Sequence, residues 1–186
     1  MAPHSISKQA MTLQHKVKEA VRDIPDFPKE GILFKDITPL LHDQQLCTEI
    51  VDAFENALAS HRLDAIVGVE SRGFLFGFAL ANRLNVPFVI VRKAGKLPHR
   101  KIAYEYELEY GNAMLEMHVD EIKEGWNVLI HDDLLATGGS AEAAAKLTQM
   151  QGGKIAGFAF LIELDSLNGK ERLKHFSETI ISLVNY

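Results

Sequence analysis

Two adjacent carboxylates, Asp132 and Asp133, close the apolar run that begins at Asn127 and includes His131. A run of small residues follows at once: Ala136, Thr137, Gly138, Gly139 and Ser140, leading into an alanine-rich stretch. Ionised Asp side chains only accept hydrogen bonds, so an adjacent pair suits vicinal hydroxyls and would repel an anion. The small residues offer the opposite chemistry. Backbone N–H groups at a helix start attract anions, glycines leave no Cβ between amide and ligand, and Thr137 and Ser140 add hydroxyl donors, Ser140 also as a candidate helix cap. Hydroxyl acceptors beside a phosphate-sized nest are what a ribose 5-phosphate needs.

The elements that must hold these residues can be read from hydrophobic period. Asn127–His131 has the character of a buried strand, and 140–151 that of a helix closed by Gly152 and Gly153. Strands are also expected over 64–69, 87–91, 155–162 and 179–184, with helices over 46–58 and 73–84. Leu13, Val17, Ala20, Val21 and Ile24 share a helical face that Pro25 ends. From Tyr104 to Val119 the period becomes two, which predicts a hairpin turning at Gly111-Asn112 and standing away from the main sheet. Alternating strands and helices imply a mostly parallel α/β sheet with helices on its faces. Ligands of such sheets sit beyond the carboxyl ends of the strands. Three loops meet that description: Glu70–Gly73 with Arg72, 92–98 with Arg92, Lys93 and Lys96, and Asp132–Ser140.

These blocks resemble the type I phosphoribosyltransferases, and Asp-Asp-Leu-Leu-Ala-Thr-Gly-Gly is most similar to their adenine-specific branch. The segments Pro25-Asp26-Phe27-Pro28 to Thr38, Glu70-Ser71-Arg72-Gly73-Phe74, 92–98 and Leu108-Glu109-Tyr110-Gly111 agree with that branch in collinear order. The resemblance implies the fold of that family, with a small hood and a flexible β-hairpin loop, and transfer of a phosphoribosyl group from phosphoribosyl pyrophosphate to adenine. Asp132, Asp133, Ala136, Thr137, Gly138, Gly139 and Ser140 would hold ribose and its phosphate. Glu70, Ser71, Arg72, Arg92 and Lys96 would hold pyrophosphate, with a cis peptide between Glu70 and Ser71. Phe27, Leu33 and Lys35 would form the adenine pocket, though Phe27 reads equally well as a core anchor. Alternation alone does not distinguish Glu105, Glu107 and Glu109; the resemblance selects Glu109 as the base or proton relay. Mg²⁺ is expected to ride on substrate oxygens, with no direct protein ligand, and a homodimer is implied. A neutral, packed ring is expected at His131, where the family usually has an apolar residue.

Composition excludes other classes. A chain of 186 residues, 47% hydrophobic and 24% charged, suggests a single globular domain, with 1–10 a flexible extension. A formal charge of −5 argues against broad nucleic-acid binding. The single cysteine, Cys47, excludes an internal disulfide. Neither a signal peptide nor a stretch long enough to span a bilayer is visible, so a cytoplasmic location is expected. A phosphoribosyltransferase for another base, or a non-catalytic sensor of phosphoribosyl pyrophosphate, is the alternative reading.

Overall fold

Residues 11–108 and 111–186 are described by the structure, a computed structural model. They divide into two units, one ending at Glu49 and one running from Ile50 to Tyr186. The expected extension at 1–10, and Glu109 with Tyr110, lie outside the described residues.

In the first unit Thr12 caps helix α1 (Leu13–Ala20), its hydroxyl accepting the His15 N–H at 3.3 Å. The helix stops four residues before the expected breaker. Val21 turns to extended backbone, and Arg22–Pro25 forms strand β1, antiparallel to β2 (Leu33–Asp36). Ile24 therefore pairs with Phe34 instead of sharing a helix face. Asp36 holds this ribbon to Arg22 at 2.6 Å and to the Thr38 N–H at 2.9 Å. Hydrogen bonds from the Thr38 side chain and then from Arg22 hold its carboxyl down at about 2. A short 3₁₀ turn, Thr38–His42, leads to α2 (Gln44–Leu58).

The second unit is built on seven strands: β3 (Ala65–Val69), β4 (Phe88–Lys93), β5 (Lys101–Leu108), β6 (Gly111–His118), β7 (Asn127–Leu135), β8 (Lys154–Glu163) and β9 (Ile180–Asn185). Their order is β5-β6-β4-β3-β7-β8-β9, with β4, β3, β7, β8 and β9 parallel. The hairpin does not stand apart. β6 joins β4 antiparallel through Arg92–Glu116 and Lys93–Leu115, which makes the hairpin the edge of the same sheet. The physical reason is burial: Leu115 and Met117 continue the core past β4. Gly111 and Asn112, expected as the turn, are strand residues opposite Leu108 and Glu107.

Helix α3 (Gly73–Leu84) packs on β3, β4 and β7, and α4 (Gly139–Met150) on β7, β8 and the hairpin. Along β7, Val128 and Ile130 join the buried alanines 141, 143, 144 and 145 of α4 in one core cluster. His131 meets Phe54 edge-on, with ring centroids 5.3 Å apart, and lies against Gly77 of α3. Alternation on the strand thus serves both faces of the sheet. Helix α5 (Gly169–Leu173) precedes β9. Among the described residues no helix is long and apolar enough to cross a membrane.

Candidate active site

Strand β7 runs farther than its apolar run suggested, so Asp132 and Asp133 are strand residues, pairing alongside β8, and not the start of a loop. A cleft of about 340 Å³ opens at the ends of β3, β4 and β7. Glu70, Ser71, Arg72, Lys93, Lys96, Asp132, Asp133 and Leu134 line it, so it gathers the first two expected loops and the end of β7, whereas Arg92 and residues 136–140 are not in its lining. The Glu70–Ser71 peptide is cis, as the resemblance implied.

The cations of the cleft are organised by a carboxylate. Glu70 receives Arg92 Nη2 at 2.9 Å, the Lys93 N–H at 2.9 Å and Lys96 Nζ at 3.3 Å. Burial pushes the Glu70 carboxyl up, but these three donors outweigh it and hold it at about 2. Its side chain faces cations, which leaves its peptide, not its carboxylate, for an anion. Arg92 also donates to the Lys96 carbonyl at 2.9 Å, and its Nε is buried without a hydrogen-bond partner among the described residues.

The acid pair behaves differently from two freely ionised acceptors. Asp133 is 3% exposed, and its backbone N–H donates to Asp132 Oδ1 at 2.8 Å. Burial, then the neighbouring Asp133 charge, push the Asp132 carboxyl well above the usual carboxylate range. Burial raises Asp133 as well, opposed by Arg72, whose Nε lies 3.1 Å from Asp133 Oδ2. Both carboxyls therefore keep a proton to higher pH than free ones, and a ligand offering hydroxyl donors or positive charge would favour its release.

The small-residue loop turns through Gly138, at φ +83°, where an L side chain would be strained. Gly138 is the cap of α4 and no side chain bonds the first turn, so Ser140 is a first-turn residue and not the expected cap. Thr137 is exposed, Ala136 and Ser140 are half-buried, and Gly138 and Gly139 are buried. Two neighbours of this loop are not evident in the sequence. The ring of Tyr106 lies against Gly139 and its hydroxyl is 3.1 Å from Ser140 Oγ. Arg172, paired with Glu142 at 2.8 Å, sets a guanidinium nitrogen beside the same glycine. Both come from distant segments that read as ordinary packing or surface turn.

Within the first unit, Phe27 and Leu33 are 50% and 49% exposed, so Phe27 is not a core anchor. Phe27 leans edge-on against Phe34 at 5.1 Å and precedes Pro28 through a cis peptide. Lys35 is buried, its ammonium 2.7 Å from Asp23, which leaves its backbone rather than its side chain for ligand contact.

His131 is fully buried and neither ring nitrogen has a hydrogen-bond partner among the described residues. Burial lowers its pKa to about 4, against a small opposing pull from the Ala159 backbone. The unfolded ring takes a proton near its ordinary 6.5 and the folded ring only near 4, so this group's contribution to stability falls as pH drops through that window. The raised acid pair acts in the opposite sense, so the comparison must be with a variant. Relative to His131→Leu, the wild type should lose about 2 kcal/mol between about pH 7.5 and pH 5. Urea melts at both pH values check this, and a constant difference would mean the ring is not held neutral.

Residues 39–183 match the phosphoribosyl transferase domain family. The chain is 49% identical over 174 residues to the adenine phosphoribosyltransferase of Cytophaga hutchinsonii, covering 94% of this chain and 96% of that one. The crystal structure of adenine phosphoribosyltransferase from Thermoanaerobacter pseudethanolicus superposes with a TM-score of 0.90 at 49% identity, covering 94% of this chain and 100% of the other. That from Saccharomyces cerevisiae, solved with an imino-altritol bisphosphate and adenine, gives 0.85 at 42% identity, over 92% and 98%. With an acid pair and a glycine turn at the strand ends, and with these relatives, the chain belongs to the phosphoribosyltransferase family, among the adenine phosphoribosyltransferases.

Proposed function

We propose that this protein transfers the 5-phosphoribosyl group of phosphoribosyl pyrophosphate to adenine, giving AMP and pyrophosphate in purine salvage. The observation that carries this reading is the cleft itself. It sets an acid pair for ribose hydroxyls against a cationic wall for pyrophosphate, within one 340 Å³ space. Transfer breaks the bond from C1 to pyrophosphate oxygen and forms one from C1 to N9 of adenine, whose imidazole proton must leave. Positive charge grows on the ribose ring and negative charge on the departing oxygens, so holding both partners and neutralising the leaving group lower the barrier. Arg72, Arg92 and Lys96 take the leaving group, together with the amides of the cis Glu70–Ser71 turn. Asp132 and Asp133 hold the ribose hydroxyls. Ala136 to Ser140 hold the 5-phosphate. Phe27 stacks on the purine, with Leu33 and the backbone about Lys35 completing that pocket.

Among the described residues no group of three or more His, Cys, Asp or Glu side chains is arranged to hold a metal ion. The donors present, an acid pair beside a cationic loop, fit a cation that arrives with the substrate. Mg²⁺ carried in with the pyrophosphate substrate would supply further neutralisation of the leaving group. AMP formation from adenine should therefore require phosphoribosyl pyrophosphate and cease on chelation with EDTA; AMP formed in its presence would remove Mg²⁺ from this reading. Glu109 takes the adenine proton. Glu109→Leu should lower kcat at least about 10²-fold while phosphoribosyl pyrophosphate binds within about twofold of wild type. Wild-type turnover would move the base elsewhere. We assign the enzyme to the cytoplasm as a homodimer. The single half-buried Cys47 suits a reducing compartment, and the exposed Phe78 and Leu75 of α3 are apolar surface that a second copy would cover.

A further inference from the structure

Tyr106 touches the phosphate loop twice. Its ring edge lies against Gly139, where an added Cβ would come 3.3 Å from Cδ2, and its hydroxyl lies 3.1 Å from Ser140 Oγ. The residue is fixed from its own side too, since it belongs to β5 and pairs with Ala113 of β6, while its ring joins the core cluster under α4. A hydroxyl pair with one proton each can be donor and acceptor in either order, and the pair alone does not choose between them. A phosphate does. It offers only acceptors, so the Ser140 proton must point at it, and Ser140 Oγ is then left to accept. The Tyr106 proton is positioned to fill that lone pair, and each bond of such a chain strengthens the next.

We propose that Tyr106 is a positioning residue for the 5-phosphate: its hydroxyl donates to Ser140 and holds the Ser140 proton toward the ligand. This rests on the reading of residues 136–140 as the ribose-phosphate loop. Tyr106→Phe isolates the hydroxyl, because the ring and its packing on Gly139 remain. The variant should bind ribose 5-phosphate about 3- to 10-fold more weakly, one hydrogen bond to a ligand-bearing hydroxyl. The KM for phosphoribosyl pyrophosphate should rise by a similar factor and the KM for adenine should hold. A double-mutant cycle separates positioning from mere packing. In a Ser140→Ala background Tyr106→Phe should cost nothing further, whereas in Ser140→Thr, which keeps a hydroxyl, its effect should return. Equal losses in the Ala and wild-type backgrounds, or no loss in the wild type, would overturn the proposal. Failure of the unsubstituted enzyme to bind ribose 5-phosphate would instead overturn the loop assignment, and this proposal with it.

Discussion

Asp132→Asn is expected to cut kcat/KM for phosphoribosyl pyrophosphate by about 10- to 100-fold and, in the same molecule, to raise the melting temperature. The two effects have one origin. Asp132 is half-buried beside a second, buried acid, and its loss of water and that neighbouring charge push its carboxyl above the usual range. A carboxyl whose folded pKa is raised keeps its proton in the fold after the unfolded chain has lost it. Its contribution to stability is therefore present at low pH and is lost as pH rises through the raised value. At neutral pH the native protein carries that cost for the sake of its ligand, and asparagine removes it. A gain of about 1–2 kcal/mol is expected, at roughly 2–4 °C per kcal/mol for a chain of this size. The gain should shrink as pH falls below the raised folded value and vanish below about pH 4, where the unfolded carboxyl takes a proton as well. Asp133→Asn is the control. Asp133 has Arg72 at 3.1 Å, so its replacement breaks that ion pair and should not stabilise. Replacing both acids should abolish ribose-phosphate binding. Thermal melts at several pH values, beside kinetics of the same preparations, read both sides. A destabilised Asp132→Asn variant would mean that the pair is held ionised by contacts stronger than its burial.

Gly169→Ala should lower kcat/KM for phosphoribosyl pyrophosphate by about 10²-fold, through the 136–140 loop that we propose holds the 5-phosphate. A Cβ there would fall 2.2 Å from the Ala136 carbonyl and 2.8 Å from Leu135 Cδ1, so either the phosphate loop or α5 must move. The reverse contact is tight too, since a Cβ on Gly138 would meet the Gly169 carbonyl at 2.9 Å. The phosphate loop and the start of α5 are thus fitted backbone to backbone. A shift of about 1 Å is large for groups that must grip a phosphate, whereas the accompanying loss of stability should stay near 1–3 kcal/mol. Gly125→Ala separates the effects. Gly125 also has positive φ, +79°, but nothing within 4 Å of its Cβ position, so it should cost stability and spare catalysis. Equal catalytic losses in the two variants would dismiss the loop contact as the cause.

These cases show why some of the site could be read from the chain and some could not. The acid pair, the glycine turn and the helix after it are contiguous, and a strand period followed by small residues marks them locally. The Glu70 and Arg92 loops were legible as strand ends, but not the clamp between them, which joins residues 22 positions apart. Tyr106 and Ser140 are 34 apart, and nothing in either neighbourhood announces the other. Strands β1 and β2 escaped because they are four residues each and β1 is largely exposed, so Val21 and Ile24 extended a helical period by coincidence. The hairpin's alternation was plain, whereas its attachment to β4 depends on which strand its apolar face finds. Protonation of the acid pair is invisible without burial, and burial is a property of the fold.

The most direct test of the central claim offers purified protein Mg²⁺ and phosphoribosyl pyrophosphate with adenine, hypoxanthine, guanine and orotate in separate reactions, following pyrophosphate release and nucleotide formation. Release with adenine alone, matched by AMP, is the expected result. Turnover with another base and not adenine would contradict the pocket assigned to Phe27 and Leu33. Silence with all four bases, while phosphoribosyl pyrophosphate still binds, would contradict the enzyme and leave a sensor in its place.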